Sequence, residues 1–166
     1  MFFRLFSKAE PDDSGSVPFF AALMDEAAGD VRAAFARQYG WQADEAEKAV
    51  ESLLLSKFLM DHALVSTFCD RISKKRLRNL LVMLDMIYES RLKKLAPETK
   101  PGQYSAKFRE YSAMLMGNRA PKCWQLIAGR FSGLELEEEK PTPEKFPAFL
   151  PELFIKVRDR LKEIVK

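Results

Sequence analysis

Between Val50 and Phe68 the chain offers almost no polar face. Val50, Leu53, Leu54, Leu55, Phe58, Leu59, Met60, Leu64, Val65 and Phe68 fall on nearly every side of a helix drawn through them. A helix that is apolar on most sides has to be enclosed by its neighbours. The run does not serve as a membrane span, because Leu53 to Met60 is broken by Ser56 and Lys57 and a span needs ~18 apolar residues. The rest of the chain must therefore supply enough elements to wrap one central helix.

Composition says what those elements are. The chain has 20 Leu and 13 Phe but only 7 Val, 5 Ile and 3 Thr. Leu favours helices, and the β-branched residues that sheets prefer are scarce. The 166 residues suit one domain, on a prior of ~100–200 residues each. Hydrophobic residues at 47% and charged residues at 31% exclude disordered and low-complexity classes. The expected fold class is all-α: a single compact domain of about six helices in an orthogonal or irregular bundle, with residues 1–16 as a flexible N-terminal segment and 17–166 as the helical domain.

Local signals place the helices. Residues 9–16 read as a linker, with Ser16 as a cap and Pro18 in the first turn of a helix over Val17–Tyr39. Gly40 is a suitable left-handed stop. The central helix is expected over Asp44–Ile72, with Asp44, Glu45 and Glu47 favouring its positive end. Leu77, Leu80, Leu81, Leu84, Ile87, Tyr88, Leu92 and Leu95 recur at helical steps and predict a helix over Lys74–Leu95. Further helices are expected over Gln103–Met116, Ala120–Phe131 and Pro151–Val165. Pro141, Pro143 and Pro147 keep the intervening segment from being a long helix.

Candidate chemistry is sparse. Two cysteines, Cys69 and Cys123, lie far apart without a C-x-x-C, and His62 is the only histidine. That excludes a zinc site of the usual spacing and suits reduced thiols in a cytoplasmic protein. The N-terminal stretch Met1–Lys8 is apolar but interrupted by Arg4 and Lys8, which does not make a secretory signal. No P-loop, G-x-G-x-x-G, G-x-S-x-G or Glu-x-x-His is present. Asp61, Asp85 and Glu89 are expected to be solvated. Cys69 lies two helical turns from His62, ~10 Å along the axis, too far for a catalytic pair. No metal, cofactor or catalytic residue is expected.

His62 on a helix invites comparison with histidine phosphotransfer domains. Leu64 and Ser66 resemble the residues that follow the phospho-accepting histidine there. Val65 stands where that family has a lysine, so the cation that would neutralise a phosphoryl group is missing. The likeness covers about six residues and names no family for this chain.

Two surfaces remain. Lys74, Lys75, Arg76 and Arg78 form the densest basic cluster, against a net charge of only +3. Around 109–131, Gly117 and Pro121 allow a helix-turn-helix reading in which Arg119, Lys122 and Gln125 would face nucleic acid. Phe2, Phe3, Phe6, Phe146 and Phe149 lie outside the clean helical stripes and are candidate partner contacts. The leading expectation is a non-enzymatic interaction or regulatory protein that binds a protein partner, or itself, through an apolar and aromatic helical surface. The alternatives are a DNA-binding protein using 109–131 and the basic cluster, and a helical enzyme or small-molecule binder with a pocket beside the central helix.

Overall fold

A computed structural model of the chain describes residues 11–40, 44–98, 108–109, 112–113, 124–125, 127–128 and 147–166. Every described regular element is helical. A 3-10 turn, Ser14–Ser16, leads into α1 (Val17–Tyr39), followed by α2 (Glu45–Phe68), α3 (Lys74–Leu95) and α4 (Phe149–Ile164). Residues 108–109, 112–113, 124–125 and 127–128 are also helical. They fall within the ranges expected for two further helices, whose limits lie outside the described residues.

The caps explain the boundaries. Gly40 adopts φ 59° and ψ 47° and donates its N–H to the Ala36 carbonyl at 3.0 Å, closing α1. A residue with a Cβ is strained in that region. The Asp44 carboxylate accepts the Glu47 N–H at 2.9 Å, which starts α2. Three local expectations need correction. Ser16 does not cap α1 with its side chain; its N–H instead donates to the Asp13 carbonyl within the preceding turn. The central helix stops at Phe68 rather than Ile72. There the Ser73 backbone is extended, and its hydroxyl accepts the Arg76 N–H at 3.0 Å to begin α3. The last helix starts two residues before Pro151, because a proline is tolerated throughout a first turn whose N–H groups have no helical acceptor.

Ion pairs between helices fix their directions. Arg32 near the end of α1 meets Glu45 at the start of α2, so the two are antiparallel. Arg76 pairs with Asp13 and Arg91 with Asp25, so α3 runs parallel to α1. Lys156 meets Glu26 and Asp30 while the Lys166 carbonyl accepts from Arg76, so α4 runs antiparallel to α1. The pair α1–α2 forms the middle of the molecule. Helices α3 and α4 both lean on this pair and scarcely touch each other.

Helix α2 is enclosed as its sequence demands. Its C-terminal half joins Phe20, Leu23 and Met24 of α1, Leu80, Leu84 and Ile87 of α3, and Val157 and Leu161 of α4 in one core layer. Leu55, Phe58 and Leu59 turn into a second layer with Val31, Phe35, Trp124, Ile127, Ala128 and Leu150. Burying each Leu, Phe or Met side chain contributes about 1.5–3 kcal/mol. Even Ser52 and Ser56 are buried, and the Ser56 hydroxyl is satisfied by the Leu53 carbonyl at 2.8 Å. Every residue from Ser52 to Met60 is therefore buried, and any charge placed among them is a buried charge.

Candidate functional site: a buried charge cluster on α2

One lysine sits inside that sleeve. Lys57 is in the middle of α2, and only 10% of its side chain is exposed. Its ammonium bridges two carboxylates: Asp61, one turn along the same helix, at 2.5 Å, and Asp85 of α3 at 2.8 Å. The two acids are not equivalent. Asp85 is 57% exposed, whereas Asp61 is only 13% exposed and its Oδ1 is buried without a hydrogen-bond partner. The Nζ also lies over the Phe108 ring at 4.7 Å and faces the Tyr88 ring at 5.8 Å. Cation–π contact of this kind stabilises a desolvated ammonium.

The electrostatics follow from this asymmetry. Burial disfavours the charged forms of both Lys57 and Asp61. For Lys57, burial is opposed by two carboxylates, and the net result is a titration above the ordinary lysine range. For Asp61, burial and the neighbouring Asp85 charge outweigh the single bond to Lys57, and its titration is pushed up to about 6.

His62 follows Asp61 and faces a separate helical turn. Its Nε2 is 3.0 Å from the Ser112 hydroxyl, and that hydroxyl donates to the Phe108 carbonyl at 2.8 Å. With its proton committed to Phe108, Ser112 accepts from His62, which assigns the Nε2–H tautomer to a neutral imidazole. The ring packs on Phe58 at 4.6 Å and stacks parallel to Phe108 at 6.4 Å. Burial first, and the Lys57 charge second, hold its titration below the ordinary 6.5. This arrangement disfavours nucleophile activation of Ser112, since a base would have to accept that hydroxyl proton.

The structure distributes the sequence candidates unevenly. Lys74, Lys75 and Arg78 are exposed on α3. Arg76 is not part of that surface. It is buried, with Nε and Nη2 donating to the two Asp13 oxygens at 2.9 and 2.7 Å and Nη1 donating to the Lys166 carbonyl at 3.0 Å. Phe149 points inward, edge-on to Phe35 at 4.9 Å. Gln125 lies on a helical turn, half-buried between Trp124 and Ile127. Arg119, Lys122, Phe2, Phe3, Phe6 and Phe146 lie outside the described residues. Asp61 is buried rather than solvated, and it meets Asp85 through Lys57. Lys57 itself went unrecognised as a site residue. Its signal was a cation in an apolar helix with an acid four residues on, the spacing that brings two side chains together.

Among the described residues, no group of three or more His, Cys, Asp or Glu is placed to hold a metal ion. None of the described helices is long and apolar enough to cross a membrane. Compared with protein-family models, with curated proteins and with solved structures, the chain matches none.

Proposed function

We propose that the protein is a cytoplasmic, non-enzymatic interaction protein whose outer α3 face docks an acidic amphipathic helix of a protein partner. The observation that carries this reading is the exposure of Val82 and Met86, one turn apart on α3, at 48% and 67%. The exposed Lys75 and Arg78 precede them along α3 and the exposed Lys93 and Lys94 follow, with the exposed acids Asp85 and Glu89 between. The first turn of α3 carries no acidic residue. A partner helix with an apolar stripe beside Glu or Asp would cover the two side chains and meet the cations. The exposed free thiol of Cys69 fits a reducing compartment.

The test is fluorescence anisotropy with a labelled helical peptide carrying a Leu stripe flanked by Glu, against a scrambled peptide of the same composition. The patterned peptide is expected to bind, and Met86→Glu to weaken it at least about tenfold, as loss of a buried apolar contact together with like-charge repulsion demands. Equal binding of the scrambled peptide, or indifference to Met86→Glu, overturns the reading. Tighter binding of a DNA duplex than of the peptide, lost steeply with salt, returns the nucleic-acid alternative. That alternative has lost Arg76 from its surface. Self-association through the same ridge would appear as a dimer in light scattering that Met86→Glu dissolves.

A further inference from the structure

Charge is ordered along the outer side of α3. Lys75, Arg78, Val82, Asp85, Met86 and Glu89 are all exposed there and recur at 3- and 4-residue steps. At ~3.6 residues per turn they fall within about a 100° arc, so they share one face. The first half of that face is basic, the second half carries the acids, and Val82 stands between. Lys75 lies seven residues before Val82 and Glu89 seven after it. Arg78 lies four before, with Asp85 three and Met86 four after.

We propose that this face pairs with itself: two copies of the chain dock antiparallel through α3, about a two-fold axis at Val82. The proposal rests on the reading of α3 as a docking surface and names a second copy as its occupant in the absence of another partner. Antiparallel pairing about that point sets residues equally far from Val82, on opposite sides of it, against each other. Lys75 meets Glu89 of the second copy. Arg78 meets Asp85 of the second copy and lays its aliphatic stem over that copy's Met86. The two Val82 side chains meet at the axis, so an apolar centre is flanked by opposite charges, and every pair occurs twice.

Other arrangements of the same face do not match. Parallel pairing sets Lys75 on Lys75 and Glu89 on Glu89. Antiparallel pairing about Arg78 brings two guanidinium groups together, and pairing about Met86 gathers the carboxylates of both copies around the axis. Each of these is disfavoured by like charge. Asp85 serves two contacts, since its Oδ1 stays on Lys57 while more than half of its side chain is exposed. Lys93 extends past Lys74, where the second copy's α3 begins, and lies outside the pairing. A partner helix and a second copy exclude each other on this face, so the monomer–dimer balance sets how much of it is open.

Sedimentation equilibrium of the full chain over a range of concentrations tests the pairing. The wild type is expected to dimerise as concentration rises. Lys75→Glu alone and Glu89→Lys alone each place like charges at two symmetric contacts, and each is expected to weaken the dimer at least about tenfold. Mixed in equal amounts, the two variants regain opposite charges at both contacts and are expected to form a heterodimer of wild-type strength. Glu163→Lys, the same change of charge on the exposed side of α4, is expected to dimerise as the wild type does. Arg78→Glu is a second route to the loss if either variant does not fold. A wild type that stays monomeric up to millimolar concentration refutes the pairing. So does a dimer indifferent to Lys75→Glu, or a mixture no tighter than the separate variants. The Leu-striped, Glu-flanked peptide is expected to dissociate the wild-type dimer. A chain that binds the peptide and never dimerises overturns the self-pairing alone, and a dimer that passes the mixing test but ignores the peptide overturns the partner reading alone.

Discussion

Replacing Lys57 with Met removes the cation shared by Asp61 and Asp85 while leaving a long side chain in the apolar sleeve. Asp85, 57% exposed, returns to water at little cost. Asp61, 13% exposed, cannot. It has one escape, which is to stay protonated in the folded state. In the wild type the folded carboxyl titrates at about 6 against an ordinary 3.8, so above pH 6 it is ionised in both the folded and the unfolded protein. In the variant it is neutral when folded and ionised when unfolded, and each further pH unit costs the variant roughly 1.4 kcal/mol relative to the wild type. The charge-dependent gap is then about 1 kcal/mol at pH 7 and about 3 kcal/mol at pH 8. Below pH 6 Asp61 is protonated in both folded proteins, and the gap should stop changing with it. Lys57 also holds His62 down, so its removal eases His62 in acid and narrows the gap further.

Urea denaturation followed by circular dichroism at pH 5, 6, 7 and 8 measures this directly. A constant gap across the series refutes the reasoning, and so does one that widens toward acid. Replacing both charges, as Lys57→Met with Asp61→Leu, should abolish the pH-dependent part, because an apolar pair needs no proton to be buried.

Two more outcomes follow from the fold. Gly29→Ala in the middle of α1 should raise stability by up to about 1 kcal/mol in thermal melts, since nothing lies within 4 Å of the added methyl; a loss would mean that α1 is not a regular helix there. Arg76→Met leaves Asp13 without its two bonds and frees the Lys166 carbonyl, and should cost about 3 kcal/mol. Limited proteolysis should then cut first near Asp13. A variant as stable and as resistant as the wild type would show that the clasp contributes nothing.

The helices α1 and α3 were legible in the sequence because their limits are set within a few residues of each end. Gly40 and Ser73 act on their own neighbours, and the Leu spacing of α3 needs no tertiary information. The burial of α2 was legible for the same reason. Its charge cluster was not. Lys57 reads in sequence as an interruption of an apolar run, and its second partner, Asp85, is on another helix. The His62–Ser112 contact joins residues that only packing brings together. Arg76 is the instructive case. It stands among exposed cations in sequence, yet it falls on the stripe of Leu80 and Leu84, one and two turns on, and that phase alone separates it from Lys75 and Arg78. The solvated reading of Asp61 failed because solvation depends on what encloses a helix, and that is decided by every other element at once.

The position of α2 also determines how the molecule comes apart. Leu53, Met60 and Leu64 belong to one core layer, and Leu55, Phe58 and Leu59, interleaved with them on the same helix, belong to the other. A helix cannot unwind on one side only. Melting either layer deprives the second of its wall, so the two have no separate melting points. The main body should therefore disappear in one sharp transition, with the slowest-exchanging amides of both layers opening at the same free energy.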